Sequence, residues 1–215
     1  MKLQFSALAF SMLFFALGCK KDDIKYPSAF YAEKLVVKSE TRMFNHEGEI
    51  TDPTVIADYI KNVDYFRAED AQKDAGTHMV TLKSSSQAEF GLNQSVREFN
   101  YKKVGNQFLF NSVVMILDVP NQTDFKRNLF KHTNYDNPPG QVINFPTHRE
   151  VKVAEGDGSE LRFIRMAYYA YTSYQGGGSG VSGLAFNEFN HKALQLMKPG
   201  DMVAFKMYEV VCKRR

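Results

Sequence analysis

Residues 107–119 read QFLFNSVVMILDV and form the most apolar stretch of the chain outside its N-terminal segment. Phe108 and Phe110 alternate with other residues, and residues 113–117 are all apolar. Alternation at a period of two and an enrichment in β-branched side chains are typical of strands. We therefore expect a long or bent strand here, with one face buried in the core.

Other segments share this strand character and are separated by turn residues. They are residues 34–44, 78–83, 87–92, 96–103, 148–154, 161–173 and 202–212. The run EGDG at residues 155–158 suits the tight turn of a hairpin. Residues 176–183 contain five glycines and are expected to form a flexible loop.

Helices are expected to be few and short. Asp52 can cap a helix that starts at Pro53, and apolar residues at helical spacing continue to about residue 63. Residues 124–132 and 185–197 are further short candidates. Many short strands with brief helices predict a mainly β fold, or an α+β fold with short helices. The antiparallel sheet would form a partly closed barrel or a sandwich.

The first residues have the features of a targeting segment. Lys2 is followed by a largely apolar stretch at residues 3–17, which is shorter than the roughly 20 residues of a membrane span. It matches the apolar part of a secretory signal, usually about 7–15 residues long. Residues 16–19, ALGC, resemble the lipobox of bacterial lipoproteins. The resemblance implies cleavage before Cys19 and lipid on its thiol; an ordinary secretory signal is the alternative.

The residues after Cys19 are two lysines and two aspartates. Lys21, Asp22 and Asp23 resemble the surface-export signal of Bacteroidota-type lipoproteins. That resemblance implies an outer-membrane protein facing the cell surface; a solvated tether on the periplasmic side is the alternative. The chain then divides into a signal peptide at residues 1–18, a lipidated tether at 19–30 and a single β-rich globular domain at 31–215.

The composition narrows the possible partners. The chain has 27 Lys and Arg residues against 24 Asp and Glu residues, and this balance is too even to indicate a nucleic-acid partner.

The two cysteines are not expected to pair. With lipid on Cys19, Cys212 has no partner for an intramolecular disulfide and is expected to be a small buried residue. The core must come from packing, for which 18 Phe and 11 Tyr are ample.

No catalytic motif or metal site is evident. The five histidines, at positions 46, 78, 132, 148 and 191, do not have metal-ligand spacing. The acids of residues 155–160 are too few for the six to eight oxygens that calcium needs. Gly178-Ser179-Gly180 lacks the strand–turn–helix setting of a nucleophile elbow. We therefore expect no cofactor and no metal, and assign no catalytic residue.

Two local resemblances bear on fold and function. Residues 48–52, GEITD, lead from a first strand into a helix and look like small envelope lipoproteins, many of them lipocalin-like. This resemblance implies no active site. Residues 193–201, ALQLMKPGD, resemble a stretch of FK506-binding-type prolyl isomerases, but that family's Asp-Gly-x-x-Phe-Asp-Ser segment has no counterpart in the chain.

The best candidate for a binding surface is a row of tyrosines before the glycine run: Tyr168, Tyr169, Tyr171 and Tyr174. Aromatic side chains beside mobile glycine can stack on sugars or grip a partner. A strand that alternates core and surface aromatics is the alternative.

The sequence as a whole leads us to expect a binding or structural module, held to the membrane by lipid on Cys19, whose ligand is an unidentified protein, glycan or small molecule. An envelope enzyme, either such a prolyl isomerase or a hydrolase without a recognisable motif, is the rival hypothesis.

Overall fold

A computed structural model describes residues 24–66, 76–92, 95–117, 123–135, 147–174 and 177–215. Cys19, Lys21, Asp22 and Asp23 lie outside these residues. The strands are β1 (Ser28–Val37), β2 (Arg42–Asn45), β3 (Gly48–Ile50), β4 (His78–Leu82), β5 (Gln87–Leu92), β6 (Ser95–Val104), β7 (Gln107–Leu117), β8 (Asn134–Tyr135), β9 (Thr147–Gly156), β10 (Glu160–Tyr174), β11 (Gly177–Ala185) and β12 (Met202–Arg214). The helices are α1 (Pro53–Ile60), α2 (Asp124–Arg127) and two 3₁₀ helices, Asp64–Phe66 and His191–Leu196.

Eight of the strands form a closed antiparallel barrel. Their order around the barrel is β1, β4, β5, β6, β7, β9, β10 and β12, and β12 pairs with β1 to close the ring. The prediction of a mainly β, antiparallel fold is confirmed. Of the two predicted architectures the barrel is the one formed, in a lipocalin-like arrangement, and it is fully closed.

Phenylalanine side chains fill the interior of the barrel. Phe90 lies at their centre, with its ring centroid 4.8 Å from that of Phe99, 5.1 Å from Phe110 and 5.5 Å from Phe163, all edge-to-face. Each of these rings is at most 1% exposed. These closely spaced, buried rings fill the centre of the described part of the barrel with side chains.

The strands β10 and β12 extend beyond the barrel as a long antiparallel pair. β10 pairs with β9 only at residues 161–163 and then with β11 from Met166 to Tyr174. Likewise, β12 pairs with β1 over its C-terminal residues, Tyr208 to Arg214, and with β2 from Met202 to Phe205. The outer halves of β10 and β12 therefore join β11, β2 and β3 in an open sheet of five strands.

Helices cover both faces of this open sheet. On one face, α2 and the second 3₁₀ helix contribute Phe125 and Ala193 to a cluster with Phe189 and Phe205. On the other face, α1 packs Ile56 and Tyr59 among the side chains around Ala204. The start of α1 is as predicted, because the Asp52 carboxylate accepts a hydrogen bond from the Thr54 amide (2.8 Å) and Pro53 is the first helical residue.

The two ends of the barrel differ. At one end lie the start of β1, the end of β12 and the tight turns at residues 83–86, 105–106 and 157–159. Ile24, the first described residue, packs against the core there and contacts the turn at Gly158. We call this the tether end. The open sheet extends from the opposite end, because β9 and β12 start there and β7 and β10 finish there.

Four sequence predictions need correction. Residues 34–44 are not one strand but belong to β1 and β2, with a break at 38–41. Residues 177–183 of the segment expected to be a glycine-rich loop belong instead to β11, which starts at Gly177, while Gly176 lies outside the described residues. β1 begins at Ser28 and Phe30 is fully buried, so ordered structure starts inside the segment expected to be a tether. The last candidate helix is reduced to the 3₁₀ helix His191–Leu196.

The strand predicted at residues 107–119 exists as β7, but it is only partly buried. Phe108 and Phe110 are fully buried, whereas Val114 is 66% exposed and Met115 is 52% exposed. The pairing of β7 with β9 shifts register between Asn111 and Met115, which is where the strand leaves the core. A bulge of this kind bends a strand and redirects its side chains.

Candidate functional site

A pocket of about 260 Å³ opens at the rim of the barrel, at the end opposite the tether end. We call it the rim pocket. Its apolar wall includes Leu129, Phe130, Tyr168, Val181, Leu184 and Phe186. Its polar groups include Lys126, His132, His148, Arg149, Glu150 and Asn187. An apolar wall with a few polar groups on one side is the usual composition of a ligand pocket in proteins.

The course of the chain after β11 creates this pocket. Since β10 leaves β9 beyond Phe163, the edge of β9 is available to another segment. The residues after Ala185 take that place, and the Val153 amide donates to the Phe186 carbonyl (2.9 Å). Phe186 then turns into the barrel core, with its ring centroid 5.8 Å from that of Phe163. The pocket lies where these residues, which follow Ala185 along the edge of β9, meet α2 and β11.

Asn187 fixes the base of the pocket. It is 3% exposed, and its Nδ2 donates to the carbonyls of His132 (2.7 Å) and Val151 (3.2 Å). Its Oδ1 accepts from the amides of His132 (3.2 Å) and Glu188 (2.9 Å). A buried amide with both ends bonded holds its partners in one geometry, because any displacement would leave polar groups unsatisfied. Asn187 thus locks the segment around His132 onto β9.

Lys126 is a cation with little exposure beside the pocket. The residue is 8% exposed, and its ammonium donates to the carbonyl and to the hydroxyl of Ser179 on β11, at 2.6 Å each. Burial lowers the pKa of Lys126, and the negative charge of Asp201 partly offsets this effect. Both hydrogen-bond acceptors are neutral, so the positive charge is oriented by Ser179 without being cancelled by it.

Glu150 is the acidic residue among the described residues that line the pocket, and it already has cationic partners. Its carboxylate contacts the Lys152 ammonium and lies 3.4 Å from an Arg97 nitrogen. Lys152 is 2% exposed and projects into the barrel core. Its Nζ lies 4.9 Å from the Phe186 ring centroid and 5.3 Å from the centroids of Phe90 and Phe99. Burial lowers the pKa of Lys152, while Glu150 opposes that shift.

The remaining polar groups are tied to the surrounding structure. Arg149 donates to the carbonyls of Ser112 (3.1 Å) and Val113 (2.7 Å), where β7 bends. His132 Nε2 lies 3.5 Å from a Glu188 carboxylate oxygen and has no hydrogen-bond partner among the described residues. These contacts hold the polar side of the pocket in a defined shape.

The structure separates the predicted tyrosine row between two faces of the sheet. Tyr168 lines the rim pocket and packs edge-to-face on Phe130, with 5.3 Å between ring centroids. Tyr169 lies on the opposite face, 4.8 Å from Tyr59. The side chain of Tyr174 lies outside the described residues. The four tyrosines therefore do not form one patch, and the alternation of aromatic side chains between faces is the better description.

The tyrosines also explain why β11 is rich in glycine. A Cβ atom on Gly178 would clash with the Tyr171 hydroxyl, and one on Gly180 would lie 2.8 Å from the Tyr169 ring. Glycine at these positions lets the rings of β10 lie across the backbone of β11. The glycines of β11 are thus a packing feature of a strand rather than part of a loop.

The described residues offer little support for other kinds of site. Among them, no group of three or more His, Cys, Asp or Glu could hold a metal ion, and no helix is long and apolar enough to cross a membrane. Cys212 is fully buried, as expected. Asp201, in the stretch that resembles prolyl isomerases, accepts hydrogen bonds from the amides of Lys198 (2.8 Å) and Ser173 (3.3 Å) and so stabilises a turn.

Comparison with known proteins finds no matching family model, no similar curated protein and no similar solved structure. Arguments about its function therefore rest on the sequence and on the geometry of the described residues, including the rim pocket.

Proposed function

We propose that this protein is a lipid-anchored binding module on the surface of the outer membrane, and that it holds a small ligand in the rim pocket. The observation that carries the proposal is the position of the pocket, at the end of the barrel opposite the tether end. A lipid-anchored receptor needs this arrangement, because its ligand arrives from the side away from the membrane.

The length of the tether supports this orientation. Ile24 packs at the tether end, and Cys19 precedes it by only five residues. Five extended residues reach at most about 18 Å. With lipid on Cys19, the tether end therefore faces the bilayer and the rim pocket opens away from it. Anchoring would be stable, since each buried methylene group contributes about 0.8 kcal/mol and two or more acyl chains hold a protein firmly.

Binding explains the pocket better than catalysis does. An activated serine nucleophile needs a neighbouring general base, and in the strand–turn–helix elbow it sits on a sharp, strained turn. Ser179 contacts Lys126 but lies within the regular strand β11, and the same ammonium also bonds its carbonyl. Glu150 is engaged by Lys152 and Arg97. The polar groups therefore position the pocket walls and can bind a ligand, and no step of prolyl isomerisation or hydrolysis follows from them.

The lipid anchor is tested by the substitution Cys19→Ala. We expect the variant to lose membrane retention completely, because the thiol that carries the lipid is absent. Metabolic labelling with a fatty acid should mark the wild-type protein only, and membrane fractionation should release the variant. As a matched control, Cys212→Ala should be labelled like the wild type. Equal labelling of the Cys19→Ala variant would contradict the proposal.

Surface display is tested separately by replacing Lys21, Asp22 and Asp23 with alanine. We expect this variant to remain lipidated but to disappear from the cell surface, because the proposed export signal is removed while Cys19 is kept. Protease shaving of intact cells measures exposure, with lysed cells as the control for intrinsic cleavability. If wild type and variant are equally resistant in intact cells, the protein faces the periplasm instead.

A further inference from the structure

We infer that the ligand of the rim pocket is a small amphipathic carboxylic acid, whose carboxylate binds the Lys126 ammonium and whose apolar body lies against Tyr168 and Val181. This inference rests on the proposed function and specifies the ligand class for the same pocket. It follows from three features of the described residues: the environment of Lys126, the charge of the lining and the shape of the apolar wall.

The environment of Lys126 favours an anion. An ammonium has three N–H donors, and Ser179 accepts from it through two oxygens. No carboxylate forms an ion pair with Lys126 among the described residues, and Asp201 acts on it only through its charge. Removing a cation from water is costly unless a counter-charge compensates for it. A ligand carboxylate would supply that charge together with a strong, charge-assisted hydrogen bond.

The charge of the lining disfavours a cationic ligand. The lining contains Lys126 and Arg149 on the basic side and Glu150 on the acidic side. Because Glu150 contacts Lys152 and Arg97, its negative charge is already compensated from behind the pocket wall. The potential in the pocket is therefore positive, and it discriminates against amines as well as attracting acids.

The apolar wall requires a ligand with a hydrophobic body. Phe130 and Tyr168 form an edge-to-face aromatic corner, and Val181 of β11 lies beside them in the same cluster. These side chains line the pocket together with Leu184. Binding there would be favourable for the methylene groups of a ligand, because it removes their apolar surface from water. With a volume of about 260 Å³ the pocket suits a short alkyl chain or a single ring, and not a full-length fatty acid.

The inference is tested with octanoate and two matched probes, octanol and octylamine, which share the alkyl chain but differ in charge. Each probe is titrated into the lipidated full chain in phosphatidylcholine nanodiscs and followed by calorimetry, with empty nanodiscs as the blank. We expect octanoate to bind at least about tenfold more tightly than octanol, since a hydrogen bond to a charged group contributes about 1.5–3 kcal/mol. Octylamine should bind more weakly than octanol.

Four variants identify the binding position. Lys126→Met should weaken octanoate binding at least about tenfold and leave octanol binding unchanged, whereas Lys126→Arg should retain most of the octanoate affinity. Val181→Phe should block all probes by filling the pocket. Lys102→Met removes an exposed cation near the tether end and should change nothing. Thermal melting verifies that each variant is folded, and the comparison of probes on the wild-type chain holds even if one variant is not.

The outcomes separate the two proposals. Suppose that octanol or octylamine binds as tightly as octanoate and that Val181→Phe abolishes this binding. That result would overturn the carboxylate inference but keep the pocket as a ligand site. An octanoate affinity that is unaffected by Lys126→Met in a folded variant would also overturn the inference. If no probe binds the wild-type chain, or if Val181→Phe in a folded variant leaves probe binding unchanged, both the inference and the pocket's proposed function fail.

Discussion

Deleting residues 202–215 is expected to leave a chain that cannot reach the native fold. The deleted strand, β12, closes the barrel against β1, pairs with β10 along its whole length and carries β2 at the edge of the open sheet. Among the described strands, β12 is one of three, with β9 and β10, that pair with three neighbouring strands. Its loss would open the barrel on two sides and expose unpaired edges, which favours aggregation.

The size of the effect follows from burial. The β12 side chains that are at most 3% exposed include Val203, Phe205, Tyr208, Val210, Val211 and Cys212. Truncating one large buried side chain costs about 2–5 kcal/mol. Losing all of them exceeds the roughly 5–15 kcal/mol that stabilises a typical domain.

Circular dichroism and thermal melting of the protein without residues 1–19 would measure this loss. The protein that keeps β12 should give a β-rich spectrum and melt cooperatively. The deletion of residues 202–215 should abolish that cooperative melt. Deleting residues 213–215 is the control, since these residues are exposed and only a cooperative melt at slightly lower temperature is expected. A cooperative melt in the chain without residues 202–215 would show that β12 is dispensable.

The parts of the fold that could be predicted are those fixed by local sequence. The hairpin of β9 and β10 follows from two alternating segments around a glycine-containing turn, and α1 from the Asp52-Pro53 start. The prediction failed where tertiary contacts decide. Residues 38–41, KSET, contain no glycine or proline to mark the break between β1 and β2. The glycines of β11 read as a loop because the rings that pack over them are not adjacent in sequence.

The candidate site could hardly be predicted from the sequence, because tertiary contacts bring its residues together. Of its residues, only Tyr168 was singled out as a ligand contact. Lys126 and Ser179 are 53 residues apart and meet because α2 packs beside β11. For His132 and His148 the sequence suggests only a metal-ligand role, and their spacing does not fit one. No local pattern marks such a site, since the crossing of Phe186 over β9 is what brings its walls together.

The substitution Glu150→Ala is expected to destabilise the protein by about 3 kcal/mol at neutral pH, because it leaves the Lys152 ammonium buried without its carboxylate partner. The value is at the lower end for a buried pair, since Glu150 itself is partly exposed. Lys152→Met, which replaces the cation by an apolar side chain of similar length, should be neutral or stabilising. The double variant should therefore recover most of the stability that Glu150→Ala loses. Urea unfolding measures the free energies.

The dependence on pH gives this prediction a second readout. Burial lowers the pKa of Lys152 in the folded state below its ordinary value of 10.5. Between the folded and unfolded pKa values the unfolded chain binds more protons, so the free energy of unfolding rises with pH across that window. Glu150 opposes the lowering. Its removal should therefore lower the pKa further, make the rise larger and start it at a lower pH.

Lys152→Met is the control that identifies Lys152 as the titrating group. It should reduce the rise of the unfolding free energy with pH in both the wild-type and the Glu150→Ala background. Lys126 also has a pKa lowered by burial, so it contributes a rise of the same sign that all four proteins share. Burial also raises the pKa values of four tyrosines, Tyr59, Tyr101, Tyr168 and Tyr208. These would produce the opposite slope as the pH approaches and passes about 10, and measurements from about pH 6 to pH 9 avoid most of it. If Glu150→Ala lowers stability equally at both ends of this range, and Lys152→Met does not restore it, the loss comes from packing rather than from an uncompensated charge in the barrel.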